Sequence, residues 1–354
     1  MPKEELFYVG TFDTGFYLIS LDGASARVAL QKKIESDACP AYMTTRRNVL
    51  YIANENSAAT GGISTYTIGI REEPKKICFF SSDTPGPAHI AVVRADDGIY
   101  VVGAGYFDGR VQIWKTNDIG TISGCLDTVQ HEGTGPYHDG EWISEQNQAR
   151  AHCILSLNDK GYFVCTDLGC DTLFVYRIDH GKLRVVKRTG MWPGSGPRHI
   201  IPSGCENAFY LINELDSTVD VLKMDNDYGF DVQQRISTVP DSFRKASYAS
   251  AIHMSNDGRW LYAANRGYDS IVRFRIHRET GKLDDPIWAA EGIETPRDFC
   301  FDQSGKYVIT ANLSTDSVAL HRIDAADGSL HFQSRLEGIR KPACILSAGV
   351  PRVN

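Results

Sequence analysis

Apolar residues in this chain come in short runs rich in β-branched and aromatic side chains, broken by clusters of Gly, Asn, Asp and Ser. That is strand-and-turn patterning. No segment sustains an apolar period of about 3.6 residues, so helices are expected to be few. In the stretch from Pro197 the runs fall at 199–202, 208–212, 219–224 and 232–239, which predicts four strands. Asn-Asp-Gly at 256–258 and Gln-Ser-Gly at 303–305 predict tight hairpin turns between a first and a second strand.

The pattern repeats. PRHIIPSGCENAFYLINELDSTVDVLKM from Pro197, SAIHMSNDGRWLYAANRGYDSIVRFRI from Ser250 and PRDFCFDQSGKYVITANLSTDSVALHRI from Pro296 are the clearest copies. Aligned on the small or polar residue that ends the second run, six copies register at Asn54, Gly103, Asp167, Asn213, Asn265 and Asn312, spaced 49, 64, 46, 52 and 47 residues apart. Such a period marks stacked supersecondary units, with propeller blades the main β candidate. A seventh copy is split between the ends. Residues 342–348 match a first strand, and 6–11, 15–21 and 28–34 match the second to fourth. The expectation is an all-β, seven-bladed β-propeller of four-stranded antiparallel blades, one domain over 1–354, with the termini sharing a blade so that no sheet edge stays open there.

Composition narrows the partners. The formal net charge is −7, which argues against nucleic acid or an anionic membrane. The apolar runs are strand length, and none would span a bilayer as a helix. The N-terminal MPKEELFYVG lacks the apolar core of a secretory signal, so a cytoplasmic location is expected. Nine scattered cysteines without a C-x-x-C pair suit buried free thiols in a reducing compartment. One segment, 130–151 (QHEGTGPYHDGEWISEQNQARA), breaks the repeat and accounts for the 64-residue spacing. Long loops on a rigid scaffold often contact substrate, while a surface insertion or an oligomer contact is the plainer reading.

In an antiparallel blade the first strand starts where the second ends, so these positions are expected to gather at one mouth of the central channel. Starts of first strands offer His89, His152, Arg198 with His199, and Arg297 with Asp298; ends of second strands offer Glu55, Asp167, Glu214 and Arg266. Buried charges are costly unless paired, so a set of several cations with a few acids and histidines points to a polar, anionic ligand. Asn54, Asp167, Asn213, Asn265 and Asn312 recur from blade to blade and are assigned to the scaffold, bonding turn backbone. Arg266, Glu214 and Arg198 depart from simple repetition. Arg297 echoes Arg198 within a Pro-Arg phrase.

GSGPRHI (194–200), YLINELDSTVDV (210–221), DGRWLYAANRGYDSI (257–271) and PRDFCFDQSGKYVITAN (296–312) resemble the lactonase family of seven-bladed propellers. That family includes propeller-type 6-phosphogluconolactonases and the fungal carboxy-cis,cis-muconate cyclase. The resemblance implies site roles for His152, Arg198, Glu214 and Arg266, which match the second His of the family's Pro-His-x-His, the Arg of Gly-Pro-Arg-His, the Glu of Asn-Glu-Leu and the Arg of Asn-Arg-Gly. The chain departs from the family phrase in its loop, with Glu145-Gln146 where Arg-Gln is common and Arg150 in place of the first His.

Lactone hydrolysis is the leading expectation. His152 or Glu214 would take the proton of the attacking water, Arg198 and Arg266 would hold the oxyanion and a substrate carboxylate or phosphate, and Arg297, His199, Glu55 and Arg150 would bind substrate. No G-x-S-x-G nucleophile is present, which favours direct water attack. A muconate-type cycloisomerase could use the same groups to move a proton without water, and a non-enzymatic binding propeller would need none of them. Glu55, Asp167, Asn213 and Glu214 could offer oxygen ligands to a divalent ion, but no ligand spacing supports one and the arginines oppose it. No metal and no cofactor is expected.

Overall fold

The structure is a computed structural model that describes residues 4–36, 38–57, 60–69, 72–136 and 143–349. Its described residues form seven four-stranded antiparallel sheets. Blade 1 takes its first strand from Pro342–Ser347 and the others from Glu5–Thr11, Phe16–Asp22 and Arg27–Ile34. Blade 2 is Pro40–Arg46, Val49–Asn54, Gly62–Gly69 and Glu72–Ser81, and blade 3 is His89–Ala95, Gly98–Ala104, Arg110–Thr116 and Ile122–Gln130. Blade 4 is Ala151–Ser156, Tyr162–Asp167, Thr172–Asp179 and Lys182–Gly190. Blade 5 is Pro197–Pro202, Ala208–Asn213, Thr218–Met224 and Phe230–Ser237. Blade 6 is Tyr248–Met254, Trp260–Arg266, Ser270–Ile276 and Leu283–Ala289, and blade 7 is Pro296–Phe301, Tyr307–Asn312, Ser317–Ile323 and Leu330–Glu337. The only helical elements among the described residues are two single 3₁₀ turns, Ser144–Gln146 and Leu313–Thr315. This is the seven-bladed β-propeller that the repeat predicts, with one blade built from both termini.

Each blade runs from apolar to polar along its strand order. In blade 5 the second strand, AFYLIN, is buried at every residue, whereas in blade 4 the fourth strand, KLRVVKRTG, is mostly exposed. Lysines and arginines on such outer edges discourage further strand pairing. The chain divides into two compact units. Of the described residues, one holds those of 4–36, 201–223 and 231–349; the other holds those of 38–200 and 224–230. In the first, the core lies between sheet faces of blades 7 and 1, where Phe7, Val9, Ile309, Leu320 and Ile345 pack together. In the second, Val102, Ile113, Ile154, Phe163 and Tyr176 do the same for blades 3 and 4.

The predicted turns form. Ser255 N–H donates to Trp260 O (2.8 Å), and Gly258 sits at φ 68°, where a side chain would be strained. Asp302 repeats the device: its N–H donates to Tyr307 O (3.1 Å), and its Oδ1 accepts the N–H of Tyr307 (2.7 Å).

A feature the sequence did not announce is an irregularity at the start of the first strand. In blade 2, Pro40 pairs with Asn54 but Tyr42 pairs with Ala53, leaving Ala41 as an extra residue. Blades 4 and 7 do the same at His152 and Arg297, and blade 1 does so at Ala343. Blade 6 carries its extra residue within Ser250-Ala251. A β-bulge of this kind releases one side chain from the alternation of the pleat and re-aims it.

Candidate active site

The residues that end the second strands behave as scaffold. Asn265 Nδ2 donates to Thr238 O (2.9 Å), and its Oδ1 accepts from Thr238 Oγ1 (2.6 Å). Asn312 Nδ2 donates to Gly292 O (2.8 Å), and Asn213 Nδ2 to Asp220 Oδ2 (2.9 Å). Asp167 is the most heavily used. Its Oδ1 accepts the N–H groups of Arg150, Gly169 and Cys170 at 2.8, 2.9 and 3.1 Å, and its Oδ2 lies 2.7 Å from His131 Nδ1. His131 Nε2 reaches Tyr176 Oη at 2.7 Å, and the imidazole stacks on Phe174 at 3.8 Å. All three side chains are buried and bonded to one another, so this His–Asp–Tyr chain is an internal strut, and burial pushes the Tyr176 phenol far up. Burial, followed by Asp167, also pushes the Cys165 thiol well up, which makes it a poor nucleophile. All nine cysteines are free thiols.

Within the unit that holds blades 2 to 4, the predicted imidazoles assemble. His89 stacks on Tyr42 (3.9 Å between ring centroids), and His199 meets His89 and His152 edge-on at 5.5 and 5.2 Å. Arg198 Nη1 lies 3.2 Å from His199 Nε2, and Arg198 is 3% exposed. His89 Nδ1 accepts the N–H of Ile154 (3.2 Å), which leaves its proton on Nε2, toward Cys153 Sγ at 3.5 Å. Thr166 ties the set together: its hydroxyl donates to Arg198 O (2.7 Å) and accepts the N–H of Cys153 (3.0 Å), the residue after the bulged His152. Arg198 follows Pro197 as Arg297, the extra residue of blade 7, follows Pro296.

Two aromatic members, Tyr42 and Tyr106, escaped the sequence reading because they carry no charge. Tyr106 meets His152 edge-on (5.8 Å) and lies under the Arg150 guanidinium (5.0 Å). Arg150 Nη2 also donates to Ser144 O (2.8 Å) and Asn147 Oδ1 (3.1 Å), so it is braced by its own loop. Of the segment 130–151, residues 137–142 lie outside the described residues. Of its remaining polar groups, His131 is scaffold, Glu145 is half-buried, and Gln146 is buried.

Within the other unit, Glu214 and Arg266 form a nearly buried ion pair, Oε2 to Nη2 at 2.9 Å with side chains 9% and 15% exposed. Arg266 is clamped further by Tyr248 O and Ala249 O, both at 3.3 Å, and Glu214 O accepts the N–H of Ala249 (3.0 Å). Arg297 takes its own place, its guanidinium over the Phe12 ring at 5.1 Å. Its neighbour Asp298 is structural: Oδ1 faces His253 Nε2 (3.0 Å) and Oδ2 accepts the N–H of Ile345 (3.0 Å). Glu55 is buried at the end of the second strand of blade 2, with its N–H on Cys39 O (3.0 Å). Among the described residues no group of three or more His, Cys, Asp or Glu side chains is disposed to hold a metal ion.

The lactonase, seven-bladed β-propeller family model matches residues 6–347. A 6-phosphogluconolactonase of Bacillus subtilis is 29% identical over 348 residues, covering 96% of this chain and 97% of that protein. A periplasmic gluconolactonase of Pseudomonas aeruginosa superposes with a TM-score of 0.90 at 25% identity, covering 99% of this chain and all of that one. A putative 6-phosphogluconolactonase of Bacteroides fragilis has the same fold, with a TM-score of 0.86 at 23% identity over 98% of both chains. The chain is therefore a member of the lactonase family of seven-bladed β-propellers.

Proposed function

We propose that the protein hydrolyses a phosphorylated or unphosphorylated aldonolactone, of the 6-phosphogluconolactone kind, by direct attack of water. The observation that carries this reading is the bulge, which aims His152 and Arg297 out of the sheet pleat, in a chain that belongs to a lactonase family. The relative from B. subtilis, matched over almost its full length, supports the substrate class.

Opening a lactone puts negative charge on the carbonyl oxygen as water adds. Arg198 is suited to stabilise it: a guanidinium held almost out of solvent acts more strongly than one in water. Glu214 or His152 takes the proton from water. Arg266 fixes the Glu214 carboxylate through a 2.9 Å contact and backbone clamps, the pre-organisation a general base needs. His199, Arg297, Glu55 and Arg150 are assigned to substrate binding. Free cysteines throughout suit a cytoplasmic location.

A screen of phosphorylated and unphosphorylated aldonolactones, followed as acid release, tests the reading. One member of the panel should turn over, Arg198→Ala should cost roughly 10²–10³ in kcat/KM, and Glu214→Gln roughly 10²–10⁴. Acid release that is indifferent to both substitutions would remove these residues from the mechanism. Turnover of muconates with none of the aldonolactones would make the protein a cycloisomerase.

A further inference from the structure

We propose that Asp171 is the positioning residue for Arg198, and that it also locks the 143–150 part of the insertion onto the turn that presents that arginine. This rests on the catalytic role given to Arg198 above. Asp171 lies just before the third strand of blade 4 and is 6% exposed. Asp269 and Asp316 hold the same place in blades 6 and 7 and accept the N–H of Thr295 and of Lys341, and Asp171 differs from them in holding the insertion as well. Its Oδ2 accepts the N–H of Gly194 (2.7 Å) and its Oδ1 the N–H of Gly196 (2.8 Å), with Ser195 Oγ at 3.5 Å. Its own carbonyl accepts the N–H of Met191 (2.7 Å). One carboxylate thus organises the Gly-Ser-Gly turn that runs straight into Pro197 and Arg198. Gly194 and Gly196, at φ 81° and 66°, take up without strain a backbone that other residues resist, and the same freedom lets a glycine turn leave this shape unless hydrogen bonds hold it.

The same Oδ1 accepts from Gln146 Nε2 (2.8 Å), which also donates to Leu168 O (3.0 Å). Gln146 is fully buried although it belongs to an insertion, and its carbonyl accepts the N–H of Gly135 (3.0 Å) from the insertion's other limb. Arg150 leaves this segment four residues later to lie on Tyr106. Asp171 therefore puts two arginine-bearing segments, one from the insertion and one from blade 5, on a single frame. Substrate choice written in the insertion is transmitted to Arg198 through this carboxylate.

The decisive test is a double-mutant cycle on kcat/KM for 6-phosphogluconolactone. Asp171→Ala should lower it roughly 10- to 100-fold, the cost of a small misplacement, and Asp171→Asn, which keeps an acceptor for only one of the two glycine N–H groups and turns an NH2 toward the other, should recover only part of the loss. In an Arg198→Ala background the Asp171→Ala cost should shrink to less than about twofold, because coupled residues do not add. An equal cost in both backgrounds overturns the proposal. Gln146→Ala, which leaves the Asp171 turn bonds in place, supplies a readout independent of activity: amide hydrogen exchange at 194–200 should quicken, and unchanged exchange overturns the tie to the insertion. Arg198→Ala with native kcat/KM would sink the functional reading instead, and the exchange result would then judge the tie by itself.

Discussion

Single residues show how this fold handles charge that it cannot solvate. Asp220 is fully buried on the third strand of blade 5, receives Asn213 Nδ2 at 2.9 Å and lies 3.5 Å from Arg235 Nε. Burial pushes its carboxyl up despite the Asn213 hydrogen bond and the Arg235 charge. A carboxyl whose folded pKa exceeds its unfolded one adds stability only at low pH, and that contribution is lost as pH rises through the folded value. At neutral pH the ionised group is therefore a burden. Asp220→Asn keeps an acceptor for Asn213, and should raise the melting temperature at pH 7 by an amount that disappears below about pH 3.9, the unfolded value. Melting curves at the two pH values check this, and a gain of equal size at both would contradict it. The Glu214–Arg266 pair is a different case. Removing one partner of a buried pair commonly costs about 3–5 kcal/mol, so activity losses at Arg266 need a stability control, and so does Glu214→Gln, which retains shape but leaves the Arg266 charge uncompensated.

At the level of the strand, the bulge separates function from folding. Four blades offer their extra residue in register, and it is Ala41, Ala343, His152 or Arg297. Two of the four are alanine, so the position accepts a methyl group without harm to the sheet. His152→Ala and Arg297→Ala should each shift stability by less than about 1 kcal/mol, the second losing a cation–π contact worth about 0.5–1 kcal/mol. Both should still lower kcat/KM, His152→Ala by roughly 10²–10⁴-fold as a proton-transfer group. Large destabilisation without kinetic loss would show that the bulge is structural. The sequence held half of this. Pro40, Pro197, Pro296 and Pro342 open their strands, a place where the missing N–H costs the ladder nothing, and the shared Pro-Arg phrase already set Arg198 beside Arg297. The extra residue itself was not visible, because a bulge changes register and leaves composition alone. Tyr42 and Tyr106 stayed hidden for a related reason: in a strand or a turn an aromatic residue reads as core or filler, and only ring geometry shows it against an imidazole. Charge was a misleading guide at Asp298, whose carboxylate is spent on Ile345 N–H and His253.

At the scale of the whole chain, the split copy of the repeat makes a prediction that the other blades supply with its own control. Phe7, Tyr8, Val9 and Gly10 pair with Ser347, Leu346, Ile345 and Cys344, so the last strand is the innermost strand of the blade that begins the chain. Ending the chain at Lys341 would bare the Glu5–Thr11 edge, strip the N–H of Ile345 from Asp298, and expose the faces that Ile345 and Leu346 cover. Those two side chains alone are worth about 1.5–3 kcal/mol each, against a native margin of about 5–15 kcal/mol, and an open edge of this kind invites aggregation. The shortened chain should melt far lower and associate on size exclusion. Chain order is not what matters, however. In blades 6 and 7 the first strand reaches the second through the short turns at 255–259 and 302–306. Moving 342–349 ahead of Glu4 through a turn of that kind would give blade 1 the continuous order of the others, with the same pairings. That permutant should recover the melting temperature of the full chain. Were it to fail as the shortened chain does, the last strand would owe its value to its place at the C-terminus and not to the edge it covers.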